Sequence, residues 1–240
     1  MVFPKRILIL LPLTVFVAGC HTDSDSDDVM SDPSFSYQIT VTNLTAGQPL
    51  SPAAVVIHNT SWKAFALGEP ASVALETLAE AGDNSDFVAA ADSDSNVLTA
   101  VSGQGPITPG ATAQVTATIQ AQSTAGLFLT WASMPVNTND ALAALNGVSL
   151  EDIAVGQSQT YLTISYDTGT EANSETADTV PGPAASGLAE GFNATRDDLR
   201  NAVYVHAGVV TRDDGLATST LDNAQRWDNP IARVHIERLR

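Results

Sequence analysis

Polar and apolar residues alternate in step over several short stretches of this chain. In YQITVTN, Tyr37, Ile39 and Val41 oppose Gln38, Thr40 and Thr42, the two-residue period of a strand with one buried face. ATAQVTATIQA repeats the pattern, with Ala113, Val115, Ala117 and Ile119 set against Gln114, Thr116 and Thr118. In IARVHIERLR, Ala232, Val234 and Ile236 face inward while Arg233, His235 and Glu237 face out. AAVVIHN from Ala53, QTYLTISYD and NAVYVHAGVV read as further strands, and GLFLTWASM is continuously apolar, as a strand covered on both faces should be. PASVALETLAEAGD has helical spacing instead: Val73, Leu75 and Leu78 share a side with the alanines, Pro70 suits the first turn and Gly82 the C-terminal cap. DALAALNG, ending at Gly147, reads as a short helical turn. Residues 172 to 200 are polar, with Pro181, Pro183 and several Gly and Ser, and read as one long loop. Seven or eight short strands with one or two short helices predict a mainly all-β chain folded as an antiparallel β-sandwich.

The first twenty residues do not fit that pattern. MVFPKRILILLPLTVFVAGC opens with Lys5 and Arg6, runs apolar from Ile7 to Val17, and ends in small residues before Cys20. This is the layout of a secretory signal, with an apolar region too short to span a bilayer. VAGC resembles the bacterial lipobox, which implies cleavage before Cys20 and acylation of that cysteine. Residues 20–35, acidic and serine-rich, read as a flexible tether, and residues 36–240 as the sandwich domain. His21 follows the cysteine at the position of a retention aspartate, which points to the outer membrane of a Gram-negative envelope.

Charge narrows the partners. The 240 residues carry 27 acidic and 10 basic side chains, a formal charge of −17. Loss of Lys5 and Arg6 with the signal deepens it to −19. Such a surface repels nucleic acid and anionic head groups and attracts divalent cations. Cys20 is the only cysteine, so no internal disulfide can form and the domain relies on its core, a metal, or both.

The candidate chemistry lies in two acidic loops. YDTGTE, after a predicted strand, carries Asp167 and Glu171, with Gly169 between them to let the chain curl. VNTND ends in Asp140. Calcium takes several oxygen ligands, and carboxylates on loops at one end of a sandwich can supply them. Asp140 reads equally well as the N-cap of the helical turn that follows it. His58, His206 and His235 lie on predicted strands without metal-binding spacing. DSDSN, from Asp92, begins like a calcium-binding EF-hand loop but has Val97 and Gly103 where glycine and glutamate are required. There is no G-x-S-x-G, phosphate-binding glycine loop or cysteine nucleophile. Trp62, Trp131 and Trp227 could line a sugar-binding surface, although Trp131, mid-strand, reads as core.

Several segments together carry a family resemblance over residues 36–240. ASVALETLAEAGD looks like the helix of the spondin domain, the N-terminal module of F-spondin and mindin, including its AE-x-G ending. VNTNDALAALNGVSL is similar to the loop those proteins write with PSPDW, YDTGTE to their DAGTD, and NPIARVHIERLR to their PxARVxxxR strand. The resemblance implies a sandwich like those of calcium-dependent membrane-binding domains, with one divalent cation, calcium, at one end. It implies that Asp140, Asp167 and Glu171 are metal ligands. Two departures stand out: the last ligand is Glu rather than Asp, and a further family acid falls near Ala121, between Gln120 and Gln122.

The expected function is a lipid-anchored cell-envelope binding or adhesion module. It is held to a membrane through Cys20, with an extracellular protein or glycan as partner and no nucleic acid. A metal-dependent hydrolase or lyase acting on envelope polymers and a purely structural envelope lipoprotein are the rival readings. No catalytic residue can be named for the former.

Overall fold

In the structure, a computed structural model, residues 33–185, 195–196 and 198–240 are described. The expected signal and Cys20 lie outside the described residues. Among the described residues, nine strands form one antiparallel sheet that folds over on itself: β1 (Ser34–Asn43), β2 (Ala54–Asn59), β3 (Val97–Ser102), β4 (Thr112–Gln120), β5 (Leu127–Ser133), β6 (Ala141–Ser149), β7 (Ser158–Asp167), β8 (Tyr204–Val205) and β9 (Ala232–Arg238). The order is β3-β2-β5-β6-β7-β9-β1-β4, with β8 paired to β7. The fold-over occurs along β7. Ser158 to Thr163 pair with β9, whereas Ile164 to Asp167 pair with β6. One strand therefore serves both layers, and its last residue, Asp167, is delivered to one end of the sandwich.

The alternation seen in the sequence builds the space between the layers. Tyr37, Ile39 and Val41 of β1, Val115, Ala117 and Ile119 of β4 and Val234 and Ile236 of β9 meet Val55, Ile57, Leu129 and Trp131 from the other layer. Each large apolar side chain removed from water there contributes about 1.5–3 kcal/mol. The outer face of β2, β5 and β6 is covered by helices α1 (Val73–Ala81) and α2 (Ser85–Asp92), whose Leu75, Leu78 and Phe87 pack on Val56, Ala132 and Leu142. That covering explains why β5 reads as apolar on both faces. The Ser72 side chain accepts a hydrogen bond from the Leu75 N–H and caps the start of α1. Gly82 (φ 68°) closes it in the left-handed conformation.

Four expectations change. DALAALNG is not a helical turn but the start of β6. Its alanines and leucines favour helix, yet the segment lies between β5 and β7, and their unpaired backbone groups impose strand geometry. Asp140 is thus not a helix N-cap. Pro70 lies ahead of the Ser72 cap rather than in the first turn. NAVYVHAGVV contributes only the two residues of β8. β1 takes up Ser34 and Phe35 from the expected tether, because Phe35 is buried and the Arg238 guanidinium sits 4.8 Å over its ring. No helix among the described residues is long and apolar enough to cross a membrane.

Candidate metal centre

The register Ala141↔Asp167 between β6 and β7 brings Asp140 and Asp167 together at one end of the sandwich. Both are buried, with 0% and 1% exposure. Oδ2 of Asp140 accepts hydrogen bonds from the backbone N–H groups of Thr170 (2.8 Å) and Glu171 (3.2 Å) and from the hydroxyls of Thr168 (3.0 Å) and Thr170 (3.1 Å). One carboxylate oxygen thus organises the whole 168–171 turn. Gly169 makes the turn feasible. Its φ is 70°, and a Cβ there would collide with the carbonyl oxygens of Arg200 and Ala202. Asp167 fixes the same loop from the other side: Oδ1 accepts from the Gly169 N–H (2.9 Å) and Oδ2 from the Asn173 amide (2.7 Å).

Glu171 lies beside this pair, 8% exposed, with its backbone N–H on Asp140. A further carboxylate, absent from the sequence reading, joins them. Glu175 is fully buried and holds the left-handed region at φ 53°, an uncommon conformation for a residue with a side chain. Its N–H donates to Asn139 Oδ1 (3.1 Å), and its Oε1 accepts from the Val210 N–H (3.2 Å). The signal available for Glu175 was weak: an acid four residues past Glu171, in a loop without hydrophobic period. Ala121, where the resemblance placed an additional acid, packs against the inter-sheet core.

The electrostatics are adverse without a cation. Burial first, then the neighbouring charge of Asp167, lifts Asp140 from 3.8 to about 7 against the pull of its N–H and hydroxyl donors. Burial also raises Asp167, although the Asn173 amide and Gly169 N–H oppose it. Burial, with repulsion from Asp140 and Asp167, lifts Glu175 from 4.5 to about 7. His206 gives no compensation. Its Nδ1 accepts from the Gly208 N–H (2.9 Å), its Nε2 stands 4.0 Å from Asp167 Oδ2, and burial depresses it to about 4, so the ring is neutral at pH 7. The contrast with Glu76 on α1 is direct: that buried acid has Arg196 as a partner. Among the described residues, no lysine or arginine pairs with Asp140, Asp167 or Glu175.

Three oxygens in this region are buried without any hydrogen-bond partner: Asp140 Oδ1, Glu175 Oε2 and Asn173 Oδ1. Buried acceptors left unmet cost roughly 1–3 kcal/mol each. All three are hard oxygen donors, the class that calcium takes in flexible numbers and geometries. The donor chemistry therefore fits a hard divalent cation. Among the described residues, no group of three or more His, Cys, Asp and Glu already stands in metal-cage geometry. A bound ion would have to draw these side chains inward and use the Asn173 amide oxygen as well.

Among the described residues, His58, His206 and His235 do not assemble. His58 is satisfied by Asn59 O (2.8 Å) and the Thr130 hydroxyl (3.0 Å), and His235 by Thr160 (2.9 Å). Trp131 is fully buried, Trp62 lies tilted against His58 with ring centroids 4.7 Å apart, and Trp227 stacks on His206 with ring centroids 5.4 Å apart. No protein-family profile matches the chain, and no curated protein matches it.

Proposed function

We propose that this protein is a spondin-type, lipid-anchored binding module of the cell envelope whose recognition end is locked by one divalent cation, calcium. The observation that carries the reading is the set of three unpartnered buried oxygens, Asp140 Oδ1, Asn173 Oδ1 and Glu175 Oε2, beside an unneutralised acidic pair. Asp140, Asp167 and Glu175 hold the ion, with the Asn173 amide oxygen, and Glu171 adjoins them. When bound, the ion supplies positive charge that offsets mutual repulsion and meets lone pairs that no donor reaches.

Burial decides the ion's role. Carboxylates exposed by 0–1% cannot present a cation to a partner's acidic side chain. The ion is a structural pin that joins the loop before β6, the loop after β7 and the segment at Val210. Those loops form the surface available for recognition, while Cys20 holds the chain to the outer membrane. Ion affinity for the native state then adds directly to stability.

Calorimetric titration of calcium into chelator-stripped protein tests the proposal. One site is expected for the wild type and none for Asp140→Asn. An absence of binding heat and of any calcium-dependent rise in melting temperature would overturn it.

A further inference from the structure

We propose that the shallow cavity lined by Asn223, Arg226, Trp227 and Asp228 binds a neutral hexose unit of a polysaccharide, and that the ion loop holds its aromatic platform in place. The second half rests on the ion reading above; the first does not.

The cavity measures about 540 Å3, within the range of small-ligand sites. Trp227 is only partly exposed. One face of its ring lies on His206 (5.4 Å, 28° between planes) and its Nε1 donates to the Ser165 hydroxyl (3.2 Å). It also packs against both the inter-sheet core and the Val180–Leu221 cluster. The ring is therefore fixed before any ligand arrives, and binding orders no rotamer. An immobile aromatic surface suits the C–H face of a sugar ring.

Planar polar groups surround it. Asn223 and Asp228 are both exposed, and Asn223 donates its backbone N–H, not its side chain, to Asp213 Oδ2 (3.0 Å). Arg226 gives Nη1 to Asp214 (2.9 Å) and keeps its remaining N–H groups for other acceptors. An amide, a carboxylate and a guanidinium can each take two adjacent hydroxyls at once, the arrangement that a hexose offers. Charge selects within that class. A chain of formal charge −17, with Asp228 lining the cavity and Asp214 paired to its Arg226, repels polyanionic glycans and leaves neutral ones.

The platform is tied to the ion loop by two contacts. Ser165, which holds the indole N–H, precedes Asp167 by two residues on β7. His206, which backs the ring, has Nε2 4.0 Å from Asp167 Oδ2. Fixing Asp167 on a cation fixes both supports.

The test uses the full chain, calcium-loaded, titrated with maltohexaose, cellohexaose, laminarihexaose and mannohexaose, and with a heparin hexasaccharide as the polyanionic control. At least one neutral hexaose should bind and the heparin fragment should not. Asn223→Ala and Asp228→Ala, both at exposed positions, should each weaken that binding about tenfold or more and leave calcium uptake and melting temperature unchanged. Chelator should weaken sugar binding to wild type. No neutral hexaose binding at millimolar concentration, or equal binding by both variants, overturns the saccharide site even where calcium uptake is normal. Sugar binding that survives chelation supports the site and overturns its coupling to the ion.

Discussion

Replacing Glu175 by glutamine should push stability in opposite directions with and without calcium. In the ion-free protein Glu175 is a fully buried carboxylate with one unpartnered oxygen, held at about 7 against an ordinary 4.5 by burial and two neighbouring acids. At pH 8 it must be ionised in both the folded and unfolded chains. The upward displacement then corresponds to roughly 3 kcal/mol of native-state destabilisation, at about 1.4 kcal/mol per pH unit. Glutamine keeps the acceptor for the Val210 N–H and carries no charge, so that destabilisation disappears. For a domain of this size it corresponds to a rise of about 6–12 °C in melting temperature. Calcium at a hundred times its dissociation constant stabilises the wild type by about 2.7 kcal/mol, and Glu175→Gln forfeits most of that. Scanning calorimetry at pH 8, in EDTA and in excess calcium, reads both effects. Glu175→Gln should melt above wild type in EDTA and lose most of the calcium-induced shift. A variant that melts at or below wild type in EDTA, or keeps the full calcium shift, refutes the reasoning.

Further outcomes follow from the same site. Asp140 and Glu175 bind protons in the native state up to about pH 7, whereas the unfolded chain releases them near 3.8 and 4.5. Ion-free stability should therefore fall as pH rises from about 4 to about 7, partly offset below 6.5 by His206, which resists protonation when folded. Chelated wild type should melt higher at pH 5.5 than at pH 8, with a smaller difference in Glu175→Gln; thermal scans at the two pH values would show equal or opposite shifts if the carboxylates were not so displaced. Gly169→Ala adds a Cβ against two backbone carbonyls at φ 70° and should cost on the order of 3 kcal/mol together with calcium uptake, read by urea unfolding. Cys20→Ser should move the protein from the membrane to the soluble fraction on detergent partitioning, with the calcium titration unaltered.

The strands with one wet face were legible because their alternation is strict. β1, β4 and β9 bury every second residue, as Ile39, Val115 and Val234 show. β3 was not, because its residues are almost all half-buried and show no contrast between faces. α2 was missed because only Phe87 and Ala91 are buried, too few to mark a face in SDFVAAAD. β6 was misread because its helix-favouring alanines and leucines answer to strand neighbours that a local window does not contain. Asp140 and Asp167 could be singled out as acids at strand ends. Glu175 could not, since its position depends on a left-handed backbone turn at a residue other than glycine and on long-range bonds to Asn139 and Val210.

The most direct test is a crystal structure grown in calcium, with anomalous data collected to locate the ion. One peak bounded by oxygens of Asp140, Asp167, Asn173 and Glu175, at 2.3–2.6 Å as calcium requires, is the predicted result. Those side chains turned apart, or an amide or hydroxyl donor meeting each of the three orphan oxygens in place of an ion, would contradict the account.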